Sequence, residues 1–137
     1  MTAEAAAPAA PLVDVVLAHG QFVTLQYLNA NDRGHWRTKE ARRRYWLDLV
    51  PAKLRQHGVR ALELPGRAHI VVTFAWPDQR RRDVGNLQPT AKVITDAVVR
   101  AGVLPDDHDG LVVGPDCRRA YGPHSVRLTI THHMEAS

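Results

Sequence analysis

Along the stretch RRRDVGNLQPTAKVITDAVVRAGVLPDD, from Arg80 to Asp107, four carboxylates, an amide and a lysine stand near enough in sequence to act together on a phosphodiester. Hydrolysis of that bond needs charge neutralisation on the phosphate, an activated water and help for the leaving oxygen. Magnesium held by a few carboxylates supplies all three, because it prefers oxygen ligands and keeps several waters. Asp83 follows an apolar run by a short loop, and Asn86 stands just before a helical segment, where its amide can ligate a metal or cap backbone groups. Lys92 and Asp96 are one turn apart on one helix face. Asp106 and Asp107 occupy the turn that follows, and adjacent like charges persist most easily where a cation or solvent screens them. Spacing alone leaves plainer readings open. Asp-Asp after a proline is common turn chemistry, and Lys92 with Asp96 also makes an ordinary surface ion pair.

Cations surround these acids. Arg80, Arg81 and Arg82 immediately precede Asp83, within reach of flanking phosphates if Asp83 holds a metal at the scissile one. Arg33, His35, Trp36, Arg37 and Lys39 mix base-stacking surface with positive charge, which suits an opened or branched nucleic acid. Arg42, Arg43 and Arg44 are consecutive, fan across about 200° of a helix and read as a solvated face. Lysine and arginine outnumber aspartate and glutamate by 18 to 14, compatible with a polyanionic partner. The single cysteine, Cys117, reads as a packing residue; it excludes a disulfide framework within one chain and suits a reducing compartment. His132 and His133 are adjacent on a strand and point to opposite faces, so they do not read as a zinc pair.

The elements that must position these groups follow from periodicity. The 137 residues suit one domain with a single core. Residues 1–11 are rich in alanine and proline, lack the basic start of a secretory signal and read as a disordered tail, leaving 12–133 as the domain. With no apolar run of membrane-spanning length, the expected setting is the cytoplasm, away from any membrane. Leu12–Ala18 is rich in β-branched residues and Gln21–Tyr27 alternates, with Val23, Leu25 and Tyr27 on the apolar side; the pair predicts an amino-terminal hairpin. Thr38 is the expected cap of a helix carrying Ala41, Tyr45, Trp46 and Leu49, which Pro51 ends, kinks or follows with a second segment. Gly66–Trp76 predicts a buried central strand stopped by Pro77. Pro89 suits the first turn of a second helix, Val93, Ile94, Ala97, Val98 and Ala101 form its apolar stripe, and Gly102 follows its end. Leu111–Val113, Cys117–Tyr121 and Ser125–His132 read as short strands. The order predicts a compact α/β (α+β) domain: a mixed sheet packed against two main helices.

Arg82-Asp83, Asn86, Lys92, Asp96, Ala101-Gly102-Val103-Leu104 and Asp106-Asp107 together resemble the signature of RusA-like Holliday junction resolvases. That family shows Asp-x-Asp-Asn, then Lys, a helical Asp four residues on, and Gly followed shortly by Asp-Asp. Asn29, Asn31 and His35-Trp36-Arg37 resemble its variable phosphate-contacting loop. The resemblance spans most of the chain from Leu12 to His132, with only the central stretch specific. It implies a homodimeric, magnesium-dependent endonuclease (with manganese as a substitute ion) that nicks opposed strands of a four-way DNA junction in recombination or repair, in a family frequent in phages. Residue by residue, it makes Asp83 and Asp107 metal ligands, with Asn86 and Asp106 as possible further oxygens. Lys92 would stabilise charge at the scissile phosphate, and Asp96 would position Lys92. Gly85 stands where the family has its second acid, and about three extra residues separate Asn86 from Lys92. That departure keeps two alternatives open: a DNA-binding protein without catalysis, and a nuclease for RNA or flaps.

Overall fold

The chain is described by a computed structural model over residues 10–64, 66–107 and 110–133. Its centre is β2 (Arg67–Trp76), in which Ala68, Ile70, Val72 and Phe74 alternate into the core with no exposed surface. Strand β4 (Ser125–His133) lies antiparallel to β2 on one side, and β3 (Val112–Tyr121) lies parallel on the other. Strand β1 (Val13–His19) completes the sheet at the far edge of β4, giving the order β1-β4-β2-β3. Helix α1 (Trp36–Gln56) packs on β1, α2 (Gln88–Arg100) packs on β3, and the two helices pack on each other. The result is a single compact mixed α/β domain, as the order of elements predicts. Among the described residues no helix is long and apolar enough to cross a membrane.

The amino-terminal hairpin is corrected. Strand β1 pairs with β4, more than a hundred residues away, and Gln21–Gln26 forms a 3-10 helix after Gly20 turns the chain at φ 104°. The apolar pattern there is i, i+4: Val23 and Tyr27 are buried, whereas Leu25, assigned by alternation to the core, is 67% exposed. Of the expected tail, residues 1–9 lie outside the described residues; Ala10 and Pro11 are exposed and irregular.

Helix α1 starts two residues before Thr38. The His35 ring accepts a hydrogen bond at Nδ1 from the backbone N–H of Arg37 and so caps it. The helix continues through Pro51 without a second segment. Its core face is Trp46, Leu47, Val50 and Leu54; Ala41 is exposed, and Tyr45 and Leu49 are half-buried. The stripe on α2 is buried from Val93 to Val98, with Ala101 half-buried. The helix ends in a Schellman turn: Gly102 (φ 80°) donates to the Val99 carbonyl and Val103 to that of Val98. That reversal buries Val103 and Leu104 and delivers Asp106 and Asp107 back toward the helix. The two short carboxy-terminal strands expected at 111–113 and 117–121 are one strand, β3. Its register slips beside Gly114, where a Cβ would stand 2.7 Å from the Ile70 carbonyl oxygen.

Candidate functional site

The acidic residues separate into two places. On the outer side of α2, Lys92 is exposed and Asp96, one turn later, is half-buried. Asp107 arrives from the turn after the helix and shares a hydrogen bond with the Asp96 carboxyl. Burial, then that hydrogen bond and the charge of Asp107, push the Asp96 pKa up; Lys92 and Arg43 of α1 pull the other way. The two carboxyls therefore repel when both are ionised, a cost that a proton or a cation between them would relieve. Asp106 turns aside, its Oδ1 accepting from the Asp107 backbone N–H at 2.7 Å. The role of Arg43 is a contribution of the tertiary structure. Among three consecutive arginines nothing local marks the middle one; Arg42 is bound to Asp32 at 3.0 Å, Arg44 faces Asp48, and Arg43 has Glu40 at 4.0 Å as well as the charge of Asp96 within its influence.

Asp83 sits elsewhere. It caps a short 3-10 turn (Val84–Leu87), with Oδ1 accepting from the Gly85 N–H at 3.0 Å. A Cβ on Gly85 would meet that same oxygen at 3.0 Å, so the glycine in place of the expected second acid is tied to the orientation of the first. Asp83 and Asn86 line a groove of about 380 Å³ with Thr24, Tyr27, Asn29, Trp76, Arg82 and Leu87; neither Asp96 nor Asp107 belongs to it. Among the described residues no three His, Cys, Asp or Glu side chains converge as metal ligands. Of the expected set, Asp83 and Asn86 share this groove, and Asp106 and Asp107 lie in the turn after α2.

The basic residues divide likewise. Arg82 is pinned rather than free: it pairs with Asp78 at 3.1 Å and lies 4.8 Å from the centre of the Trp76 ring. Arg119 of β3 lies 5.4 Å from the same ring and donates to the carbonyls of Asp78 and Arg80, a clamp with no signature in the local sequence. Arg80 and Arg81 are exposed. At the start of α1, Trp36 is 65% exposed and stacked between two neighbours, with the His35 ring at 5.8 Å and the Arg37 guanidinium at 5.4 Å. Arg33 is exposed and Lys39 half-buried nearby. Trp36 and Arg43 are seven residues apart on one side of α1, about 10 Å along its axis, so the aromatic platform and the carboxyl pair share a neighbourhood.

Other features are structural. The Cys117 thiol donates to Gln88 Oε1 at 3.2 Å, and burial pushes its pKa up, which makes it a packing group rather than a nucleophile. A hollow of about 540 Å³ between His19–Gln21 and Tyr121–His124 is lined by none of these acids.

A scan against protein-family models finds no match, and a search of the curated proteins finds none. Fold and site therefore define the class: a small mixed α/β domain with two neighbouring carboxyls, Asp96 and Asp107, beside exposed cations and an exposed aromatic ring.

The pair has a measurable pH signature. A carboxyl whose pKa is raised by folding stabilises the fold fully only below its ordinary pKa, and that contribution fades as pH rises through the raised value. Asp96→Asn is therefore expected to raise the melting temperature at neutral pH and to have little effect in acid, read by thermal scans across pH. A variant less stable than the parent at neutral pH would contradict this account of the pair.

Proposed function

We propose that the protein is a magnesium-dependent, structure-selective endonuclease for branched DNA that resolves four-way junctions as a cytoplasmic homodimer through paired nicks. The carrying observation is the Asp96–Asp107 carboxyl pair flanked by Lys92 and Arg43. Magnesium is commonly bound through one or two carboxylates, with waters and a substrate phosphate filling the other positions, so this donor set fits it. Once bound, the ion supplies charge neutralisation and an acidified water. Asp96 and Asp107 would hold it through their carboxylate oxygens, Lys92 and Arg43 would face the phosphate charge, and Trp36 with Arg37 would offer a stacking surface for an unpaired base. The resemblance to RusA-like resolvases, with the order Asp83, Asn86, Lys92, Asp96, Asp107, points the same way.

Purified protein incubated with a labelled synthetic four-way junction and magnesium is expected to give symmetric nicks, with linear duplex cut far more slowly. Absence of cleavage with magnesium or manganese across a range of pH would remove the enzymatic reading. A substrate panel with flaps and RNA in the same buffer tests the choice of nucleic acid. Light scattering at micromolar concentration tests the dimer.

A second reading, a DNA-binding protein without catalysis, is favoured by one observation: among the described residues no third acidic side chain joins Asp96 and Asp107, and the Asp83 carboxylate is engaged with Gly85. It predicts salt-dependent junction binding with no turnover.

A further inference from the structure

We infer that the sheet face turned away from the helices is where two copies of the chain meet, face to face about a two-fold axis that runs across the strands. The inference rests on the proposal that the protein works as a dimer, and it names the surface and the register of that dimer.

Helices α1 and α2 pack on each other, so both cover the same face of the sheet. The strand residues aimed at them, such as Ile70, Val72, Phe74, Leu128 and Ile130, have no exposed surface. Among the described residues no helix packs over the opposite face, where Val71, Thr73, Thr129 and Thr131 are only half-buried. Strand partners share a face, so the pairing registers write that surface out in rows. One row runs Asp14, Thr129, Val71, Asp116 from β1 to β3, and the next runs Val16, Arg127, Thr73, Arg118. Outside them lie Thr131, His69, Val113 on one side and Ser125, Ala75, Ala120 on the other. A sheet face left to water ordinarily carries long polar side chains. This one carries valine, threonine, alanine and serine through its middle, and the four strands contain neither lysine nor glutamate. Such short side chains let a second sheet approach to about 10 Å.

The charges on this face select both the occupant and the axis. Arg127 pairs with Asp14 at 3.1 Å near one edge; near the other, Asp116 meets His69 at 2.6 Å and Arg118 at 3.6 Å. Each acid thus has a cation in the next row, and the pattern complements itself. A two-fold axis across the strands, between the two central rows, reverses their order in the second copy. Asp116 then faces Arg118 of the partner subunit, Val71 faces Thr73 of the partner subunit, and each contact occurs twice. An axis along the strands would instead set Asp14 against Asp116 of the partner subunit, like against like. Four strands about 4.8 Å apart and about 30 Å long present about 600 Å² per copy, or about 1,200 Å² for the pair, the size at which specific interfaces begin. The crosswise axis leaves the dimer along the β3 edge. Because α2 packs on β3, both α2 helices fall on that one side, as paired cuts in a single junction require.

The test uses the full chain and reads its mass by light scattering over the micromolar range, where the parent is expected to be a dimer. Asp116→Arg and Arg118→Asp should each weaken association by more than about 10-fold, because each sets like charges opposite one another, and the two together should restore it. Val71→Arg should give a monomer whose circular dichroism matches that of the parent. A parent that stays monomeric, a dimer unaffected by Val71→Arg, or a double reversal no better than the single ones would overturn the inference. A monomeric parent whose junction binding falls with Val71→Arg would overturn it too, and would give the face to nucleic acid. Dimer formation through this face by a protein that cuts no junction would leave the interface standing and remove the nuclease proposal; paired nicking by a dimer that survives Val71→Arg would do the reverse.

Discussion

Asp107→Asn is expected to reduce junction nicking by more than about 100-fold, since even partners one shell out from a metal cost 10- to 100-fold when removed. The substitution keeps the shape of the side chain and its hydrogen bond to Asp96, with an amide now donating to the carboxylate. It removes the charge that a divalent cation needs, and with it the like-charge contact that helps hold the Asp96 pKa up. Two readouts should therefore move in opposite directions. Cleavage falls, while the melting temperature in chelator at neutral pH rises above that of the parent, converging with it in acid. Magnesium should raise the melting temperature of the parent and leave the variant unchanged. A variant that cuts at the parental rate would remove the carboxyl pair from the mechanism, and cleavage lost together with stability would indicate a merely structural role.

Trp46→Ala is expected to be the most damaging single change to the fold, at about 4 kcal/mol, by analogy with large-to-small aromatic substitutions in other cores. Trp46 has no exposed surface, packs edge-on against Tyr45 at 4.9 Å, and donates from Nε1 to the Gln26 carbonyl at 2.8 Å. The indole thus fills the space beneath α1 and also ties down the end of the 3-10 segment leading to Tyr27 and the groove. Trp46→Phe restores most of the volume but leaves that carbonyl without its donor, for a loss of about 1–2 kcal/mol. Urea titrations at constant slope separate the two variants. A Trp46→Ala protein within about 1 kcal/mol of the parent would mean that α1 is not seated as described.

Strand β2 and helix α2 were legible in the sequence because each has one strong period and clear punctuation: Pro77 after the strand, Pro89 and Gly102 around the helix. The errors have equally local causes. Seven alternating residues at Gln21–Tyr27 imitate a strand, but the residues that are buried are Val23 and Tyr27, an i, i+4 pair that a helical turn brings to one face while Leu25 is left outside. Thr38 is a good cap by type, yet the His35 ring reaches the Arg37 N–H first and opens the helix earlier.

The acids between Asp83 and Asp107 mark the opposite limits of sequence and structure. Sequence alone identified Lys92 and Asp96 as neighbours on one helix face, because i and i+4 are bound together by the pitch of the helix. It also located Asp106 and Asp107 in the turn beyond Gly102. Which of these acids meet was decided only in three dimensions. The Schellman reversal carries Asp107 to Asp96, the short 3-10 turn orients Asp83 through Gly85, and α1 brings Arg43 from more than fifty residues away. Such choices depend on how helices pack and where chains reverse, and those are set by contacts distant in sequence that no local period encodes.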